Sequence, residues 1–350
     1  MENFYAMASQ AAGISLCPST AYLPSGRTIG AREQLTPSHT SPDGARVLVL
    51  LATYNGGRFL EDQLASIAAQ SIAHVDMLVS DDGSSDDTLA QLEAWRARWT
   101  RGTFTVLSGP KQGFAENFRS LIVRAAPAGP TFVAFSDQDD VWDRDKLAAA
   151  VAVLAARPAG EPALYGSRSR LVDEDGRPFG HSPLFPRRPS FRNAIVQSLA
   201  GGNTMVFNGA GFALLQESAR RTGFLMHDWW SYLIVSGAGG VVHYDRTPHI
   251  GYRQHRGNAI GGGIGLLDRP KRMMELLDGK FSRWSDENVA SLHACRDLLN
   301  AESREVLAQF EQLRATHALA VPGKLLQSGI YRQTVKGNVA LGLAALLHRL

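Results

Sequence analysis

Cysteine is nearly missing from this 350-residue chain, which has only Cys17 and Cys295. The two lie far apart and match neither a disulfide framework nor a zinc-ligand spacing, so a reducing cytosol is the simplest home. An excess of one charge is missing too. Thirty-six Lys and Arg against 33 Asp and Glu leave a net charge of +3, too little to draw the chain to nucleic acid by bulk charge. No run reaches the roughly 18 apolar residues that a membrane-spanning helix needs. Glu2 and the lack of a basic stretch before a continuous apolar core make the N-terminus a poor signal peptide. Internal repeats are absent. What remains is ordinary for a globular protein, with 44% hydrophobic and 20% charged residues. The expectation is a soluble or membrane-peripheral protein of one large domain or two smaller ones.

Residues 1 to 45 are rich in Ser, Thr, Pro, Gly and Ala, without periodicity, and read as a disordered leader. Order is expected to begin at Arg46-Val-Leu-Val-Leu-Leu-Ala52, an apolar run of the buried parallel-strand type. Leu60, Leu64 and Ile67 then recur at helical spacing. Val75 to Val79, Phe104 to Leu107 and Thr131 to Phe135 are further strands, separated by helices with Leu89, Leu92 and Trp95 on one face and over Asn117 to Ala126. Ser85 or Asp86 can cap the first of these helices. This alternation predicts an α/β fold with a mostly parallel sheet flanked by helices. Further on come a short strand (Ala163 to Ser167), a Gly-rich element (Leu199 to Phe207) and an aromatic helix from His227. Beyond Gly265 the chain reads as a helical extension, with Leu266 to Leu277 and Ser285 to Leu313 as helices. The domain division is therefore 1–45, 46–264 and 265–350.

Polar groups that no core needs collect at strand exits. Thr131 to Phe135 runs into Ser136-Asp137-Gln138-Asp139-Asp140-Val141-Trp142. Carboxylates there are costly unless they face a cleft or hold a cation, and Asp137 and Asp139 can both reach one hard divalent ion. A bland reading has one Asp capping the next helix and the others solvated. Open α/β sheets bind ligands at their carboxyl edge, which favours the site. Thr53-Tyr54-Asn55-Gly56-Gly57 is either a plain turn or exposed backbone and a ring for a nucleotide base. It is neither a P-loop nor a dinucleotide fingerprint. Asp81-Asp82-Gly83-Ser84 supplies a cap and turn, and one of its carboxylates can accept from a base N–H. His227-Asp228-Trp229-Trp230 offers either a cap with core tryptophans, or a general base beside aromatic surfaces for a sugar ring. Tyr252-Arg-Gln-His255-Arg256 is either plain surface, or cations for a diphosphate with a histidine able to ligate metal.

In this order and spacing, these five motifs resemble the family-2 glycosyltransferases over residues 46 to 262. Asp-Gln-Asp-Asp-Val-Trp with His-Asp-Trp and Tyr-Arg-Gln-His is similar to a bacterial rhamnosyltransferase-type branch that builds surface polysaccharides. The resemblance implies a GT-A fold, an inverting mechanism, a nucleotide-sugar donor (dTDP- or UDP-linked), a glycan or lipid-linked acceptor and a Mg²⁺ or Mn²⁺ cofactor. It further implies that Thr53, Tyr54 and Asn55 line base and ribose, and that Asp82 accepts from the pyrimidine while Asp81 is more structural. Lys111 and Asn117 would border the nucleotide. Asp137 would serve ribose and metal, and Asp139 and His255 metal and diphosphate. Gly201, Gly202 and Asn203 would lie near the donor sugar, with Trp229 helping to exclude water. Asp228 would be the catalytic base, while His227 stands where many relatives carry an acid and receives no role. Two other classes compete. A nucleotidyltransferase needs a Gly-rich, Lys- or Arg-bearing loop that Thr53 to Arg58 matches poorly, and a non-catalytic nucleotide-sugar-binding module would have no use for Asp228.

From Gln312 to Leu350 there is no Asp or Glu, whereas Arg314, Lys324, Arg332, Lys336 and Arg349 contribute +5. Val339 to Leu347 is apolar. Such a tail either lies on the cytoplasmic face of an anionic membrane or docks on the catalytic domain or a partner copy.

Overall fold

The computed structural model describes residues 44–127, 131–255 and 280–350. The expected leader, apart from its last two residues, lies outside the described residues, as do the helix expected over Leu266 to Leu277 and Arg256. Strand β1 (Arg46–Thr53) is buried along its apolar run and pairs in parallel with β2 (His74–Asp81) and with β4 (Thr131–Ser136). Its side chains alternate between two cores, as the pleat requires. Val47, Val49 and Leu51 join one; Leu48 and Leu50 join the other.

Helix α1 (Gly57–Ala68) covers the first core with Leu60, Leu64 and Ile67. Helices α2 (Thr88–Arg98) and α4 (Lys146–Ala155) complete that layer with Leu92, Trp95, Leu147 and Val151. The opposite face carries α3 (Phe114–Arg124), the short α5 (Phe191–Ala194), α6 (Gly209–Arg221) and α7 (His227–Gly237). Strand β3 (Phe104–Ser108) flanks β2 in parallel, while β9 (Val206–Phe207), β6 (Ala163–Ser167) and β10 (Val241–Asp245) extend the sheet beyond β4. The seven-stranded order is β10-β6-β9-β4-β1-β2-β3, with β9 antiparallel to both neighbours. The expected Gly-rich element is thus a 3₁₀ turn (Gly202–Thr204) feeding β9.

A second sheet, in the order β5-β11-β7-β8, is built from β5 (Val141–Trp142), β7 (Arg170–Val172), β8 (Pro178–His181) and β11 (Ile250–Arg253). It follows directly from the acidic turn and ends just before His255.

Helices Lys280–Ala294, Ala301–Arg314, Val321–Ser328 and Val335–Leu346 complete the described chain. The single helix expected over Ser285 to Leu313 is two. A 3₁₀ turn (Arg296–Leu298) ends the first, and Asn300 caps the second by accepting from Ser303 N at 2.8 Å. Leu292, Leu307, Phe310, Leu341 and Ala345 share one hydrophobic cluster with Leu48 and Phe135, so these helices are packed on the sheet's own core.

Candidate functional site

The carboxyl ends of β1, β2 and β4 bring the first three motifs together. At the end of β1, Thr53 Oγ1 donates to Asp81 Oδ2 at 2.9 Å. Asp81 also accepts from the Gly83 and Ser84 amides at 3.1 and 2.9 Å, so its carboxylate shapes this turn. Asn55 sits in the left-handed region (φ 48°) and clamps the same turn, its Oδ1 accepting from Ser85 N at 2.8 Å. Tyr54 remains 58% exposed. Its backbone is held by Gln138, whose Oε1 accepts from Tyr54 N at 2.8 Å and whose Nε2 donates to Tyr54 O at 3.0 Å. Gln138 therefore bolts the β1 turn to the acidic turn. A Cβ on Gly56 would stand 2.3 Å from Gln138 Oε1, which accounts for a glycine there.

Asp82 is buried and accepts from the amides of Lys111 (2.6 Å) and Gly113 (2.8 Å), one on each carboxylate oxygen. It thereby ties down the loop that precedes α3, in which Lys111 also adopts a positive φ of 61°. Each oxygen retains a second lone pair for a base N–H. Asn117 lies beneath the strand ends, buried, with Nδ2 donating to Ser80 O at 2.9 Å.

The acidic turn divides by residue. Asp140 is fully buried; its Oδ2 accepts from Asn203 Nδ2 at 2.6 Å and its Oδ1 from Arg253 N at 3.1 Å. It joins the Gly-rich element and β11 to the end of β4, and burial pushes its carboxyl well above the usual range. Asp139 Oδ2 stands 2.8 Å from His255 Nε2. Burial, then the charges of Asp139 and Asp228, push the Asp137 carboxyl up to about 7. Arg253, expected to meet a diphosphate, turns inward instead. Its guanidinium donates to Asp139 O at 2.9 Å, to Glu174 O and to Asp62, and lies over the Phe59 ring.

Asp228 occupies the first turn of α7. Its Oδ1 accepts from its neighbour's amide (Trp229 N, 2.7 Å) and its Oδ2 from Ser198 Oγ at 3.4 Å. Burial pushes this carboxyl up to about 6, the poise expected of a group that takes protons near neutrality. Trp229 and Trp230 belong to the core. The indole N–H of Trp229 donates to Ala194 O at 2.6 Å and that of Trp230 to Ser218 Oγ at 2.9 Å, so neither ring presents a stacking face. Asn203 likewise spends its amide on Asp140.

His227 emerges with a definite environment. Its ring stacks on Phe118 (3.7 Å between centroids) and meets the edge of Phe135 at 5.0 Å. Neither ring nitrogen has a hydrogen-bond partner among the described residues. A Cβ on Gly202 would stand 1.9 Å from His227 Nε2. Burial lowers the imidazole pKa to about 3, so the ring is neutral. Sequence reading missed Gln138 and His227, although both lie inside motifs it singled out.

Among the described residues, no three His, Cys, Asp or Glu side chains already converge as a metal cage. The donor set nonetheless fits a hard divalent cation that keeps waters or substrate oxygens as its other ligands. Asp137 and Asp139 bring carboxylates and His255 an imidazole, and the crowding of negative charge around Asp137 is what a cation relieves.

Comparison with known proteins agrees with this frame. The family model described as Glycosyl transferase family 2 matches residues 48–223. The chain is similar to the dTDP-rhamnosyl transferase RfbG of Shigella flexneri, at 28% identity over 257 residues, covering 71% of this chain and 86% of that protein. It is also similar to the putative teichuronic acid biosynthesis glycosyltransferase TuaG of Bacillus subtilis (strain 168), at 26% over 187 residues, 53% of this chain and 71% of that one. Among solved structures, S. aureus TarS 1-349 in complex with UDP-GlcNAc aligns at a TM-score of 0.47 and 15% identity, covering 81% and 89% of the two chains. The family match ends at Gly223, before Asp228 and His255.

Proposed function

The chain belongs to glycosyl transferase family 2 and is a glycosyltransferase of GT-A fold, and from that premise we propose that it is an inverting, metal-dependent enzyme that moves a sugar from a nucleoside diphosphate to a hydroxyl acceptor. One observation carries this reading. Asp137, beside the Asp139–His255 pair, lies close enough to Asp228 to feel its charge. Asn203 joins the Asp140 end of the acidic turn to the Gly-rich element, and Gly202 beside it abuts His227, the neighbour of Asp228, so the group that would hold a diphosphate and the group that would deprotonate an acceptor are tied into one contact network.

In this reading Thr53, the exposed Tyr54 and Asn55 shape the base and ribose pocket. Asp82 receives the base N–H on a free lone pair, with Lys111 and Asn117 around the loop it anchors. Gly201, Gly202 and Asn203 form the floor under the donor sugar, and Trp229 backs it from the core. Asp137, Asp139 and His255 would hold Mg²⁺ or Mn²⁺, which supplies electrostatic stabilisation of the departing diphosphate. Asp228, ionised above about pH 6, takes the proton of the acceptor hydroxyl as that oxygen attacks from the opposite face of the sugar. The single displacement inverts the anomeric centre. The raised pKa makes Asp228 a stronger base than an exposed aspartate while leaving it ionised at neutral pH.

The donor is a dTDP- or UDP-sugar, with rhamnose favoured by the similarity to a dTDP-rhamnosyl transferase. The acceptor is a glycan or lipid-linked glycan of a bacterial surface polysaccharide. Among the described residues, no helix is long and apolar enough to cross a membrane, and the proposed place of work is the cytoplasmic side of the inner membrane. Release of nucleoside diphosphate from a panel of dTDP- and UDP-sugars, with Mg²⁺, Mn²⁺ or EDTA, tests the proposal. No metal-dependent release from any of them would overturn it.

A further inference from the structure

The last helix, Val335–Leu346, has two apolar sides and only one of them is used. Leu341 and Ala345 face inward and belong to the core shared with the sheet. Val335, Val339 and Leu343, each one turn beyond the last, continue to Leu347 just past the helix end and stand bare, at 82%, 60%, 55% and 57% exposure. Positions i, i+4, i+8 and i+12 form one stripe along a helix. Leu319 and Leu326 add 100% and 85% exposed side chains on the two segments that pack against this helix. A run of bare aliphatic side chains on neighbouring elements marks a contact surface rather than scattered surface apolarity.

The charges around the stripe select the partner. Between Gln312 and Leu350 there is no acidic residue. Lys324, Lys336 and Arg349 are exposed there. Arg314 is occupied by Asp286 and Leu350 O, and Arg332 is half-buried with its guanidinium 5.8 Å from the Phe281 ring centroid. Two copies meeting stripe to stripe would set the exposed cations of this acid-free segment against each other. A bilayer rich in anionic headgroups offers both hydrocarbon for the stripe and negative charge for the cations. We propose that this stripe seats the protein on an anionic membrane surface, with Val335, Val339, Leu343 and Leu347 entering the headgroup boundary. The helix docks on the catalytic domain and on the membrane at once, by opposite sides. The inference concerns the surface alone and stands whether or not the proposed transfer reaction is correct.

Bonding runs from this segment toward Asp228. Gln333 Nε2 donates to Asn193 Oδ1 at 3.1 Å, on the short helix Phe191–Ala194. The same helix accepts the Trp229 indole through Ala194 O, and Ser198, just beyond it, bonds Asp228.

Removing the tail would strip Leu341 and Ala345 from the core, so surface substitutions are the proper probe. The full chain is floated with vesicles of phosphatidylcholine alone and with phosphatidylglycerol-rich vesicles, at low and high salt. Binding is expected on the anionic vesicles only, weakened by salt. Val339→Ser/Leu343→Ser/Leu347→Ser is expected to cut it at least about tenfold with thermal melting unchanged, and Lys324→Glu/Lys336→Glu likewise by about tenfold. Failure of the unmodified chain to float with anionic vesicles would overturn the proposal. So would a dimer in light scattering that the triple substitution dissociates, which would assign the stripe to a second copy.

Discussion

Replacing Gly202 with alanine puts a methyl group 1.9 Å from His227 Nε2, where ordinary contact begins at 3.4 Å. A displacement of about 1.5 Å is therefore required, and the imidazole has nowhere to go. Phe118 stacks on one face at 3.7 Å, the Phe135 edge closes another side, and both phenyl rings are themselves buried. Over-packing of this kind costs about 1–3 kcal/mol, and the trapped ring argues for about 3. In urea unfolding this appears as a lower midpoint at unchanged slope; in a thermal melt it is a loss of roughly 4 °C. His227→Ala alone leaves a cavity, but the double variant places the new methyl in the vacated space. The cycle should then show a favourable coupling of about 1–3 kcal/mol. The same cycle has a pH signature. The unfolded histidine takes a proton near its ordinary value of 6.5, whereas the buried one resists until about 3. Between those limits the unfolded state binds more protons, so this residue's contribution to stability falls as pH drops, by up to about 1.4 kcal/mol per unit. That component should vanish in His227→Ala. Gly202→Ala melting with the parent, or additivity within about 0.5 kcal/mol, would refute the close-contact argument.

Other outcomes can be checked in parallel. Asp228→Asn should lower transfer by about 10²–10⁴-fold while donor affinity, followed by calorimetry, stays within about twofold; equal loss of both would make its role structural. In the parent, kcat should decline as pH falls through about 6, because burial raises this carboxyl and protonation removes the base. Asp140→Ala should destabilise by about 2–4 kcal/mol in urea titrations, since it orphans the Asn203 amide and the Arg253 N–H. Gln138→Ala should weaken nucleotide binding with little change in melting temperature, a result that a purely structural clamp would reverse.

The parallel half of the sheet was legible because its strands are continuous apolar runs, and Arg46 to Ala52 is the clearest of them. The exits carrying Asp82, Asp137 and Asp139 followed from that, as did the helix from His227. The second sheet was not legible. Strands as short as Val141–Trp142 have no periodicity of their own and exist through pairing with Ile250–Arg253. The break at Arg296–Leu298 escaped because apolar positions recur on both sides of it. Side-chain direction was the other limit. Trp229, Asn203 and Arg253 were singled out by residue type, yet each faces inward for partners that only the fold supplies. The His227–Gly202 contact joins residues in separate motifs, so no local pattern announces it.

The Gln138 clamp has a thermodynamic consequence. Because one amide side chain bonds both the N–H and the C=O of Tyr54, the turn that would receive the base and the turn that would receive the cation are mechanically one piece. Whatever orders either turn reduces the ordering left for the other. By linkage, the factor by which Mn²⁺ tightens nucleotide binding must equal the factor by which nucleotide tightens Mn²⁺. A single glutamine between two aspartates would thus set how strongly the two ligands cooperate.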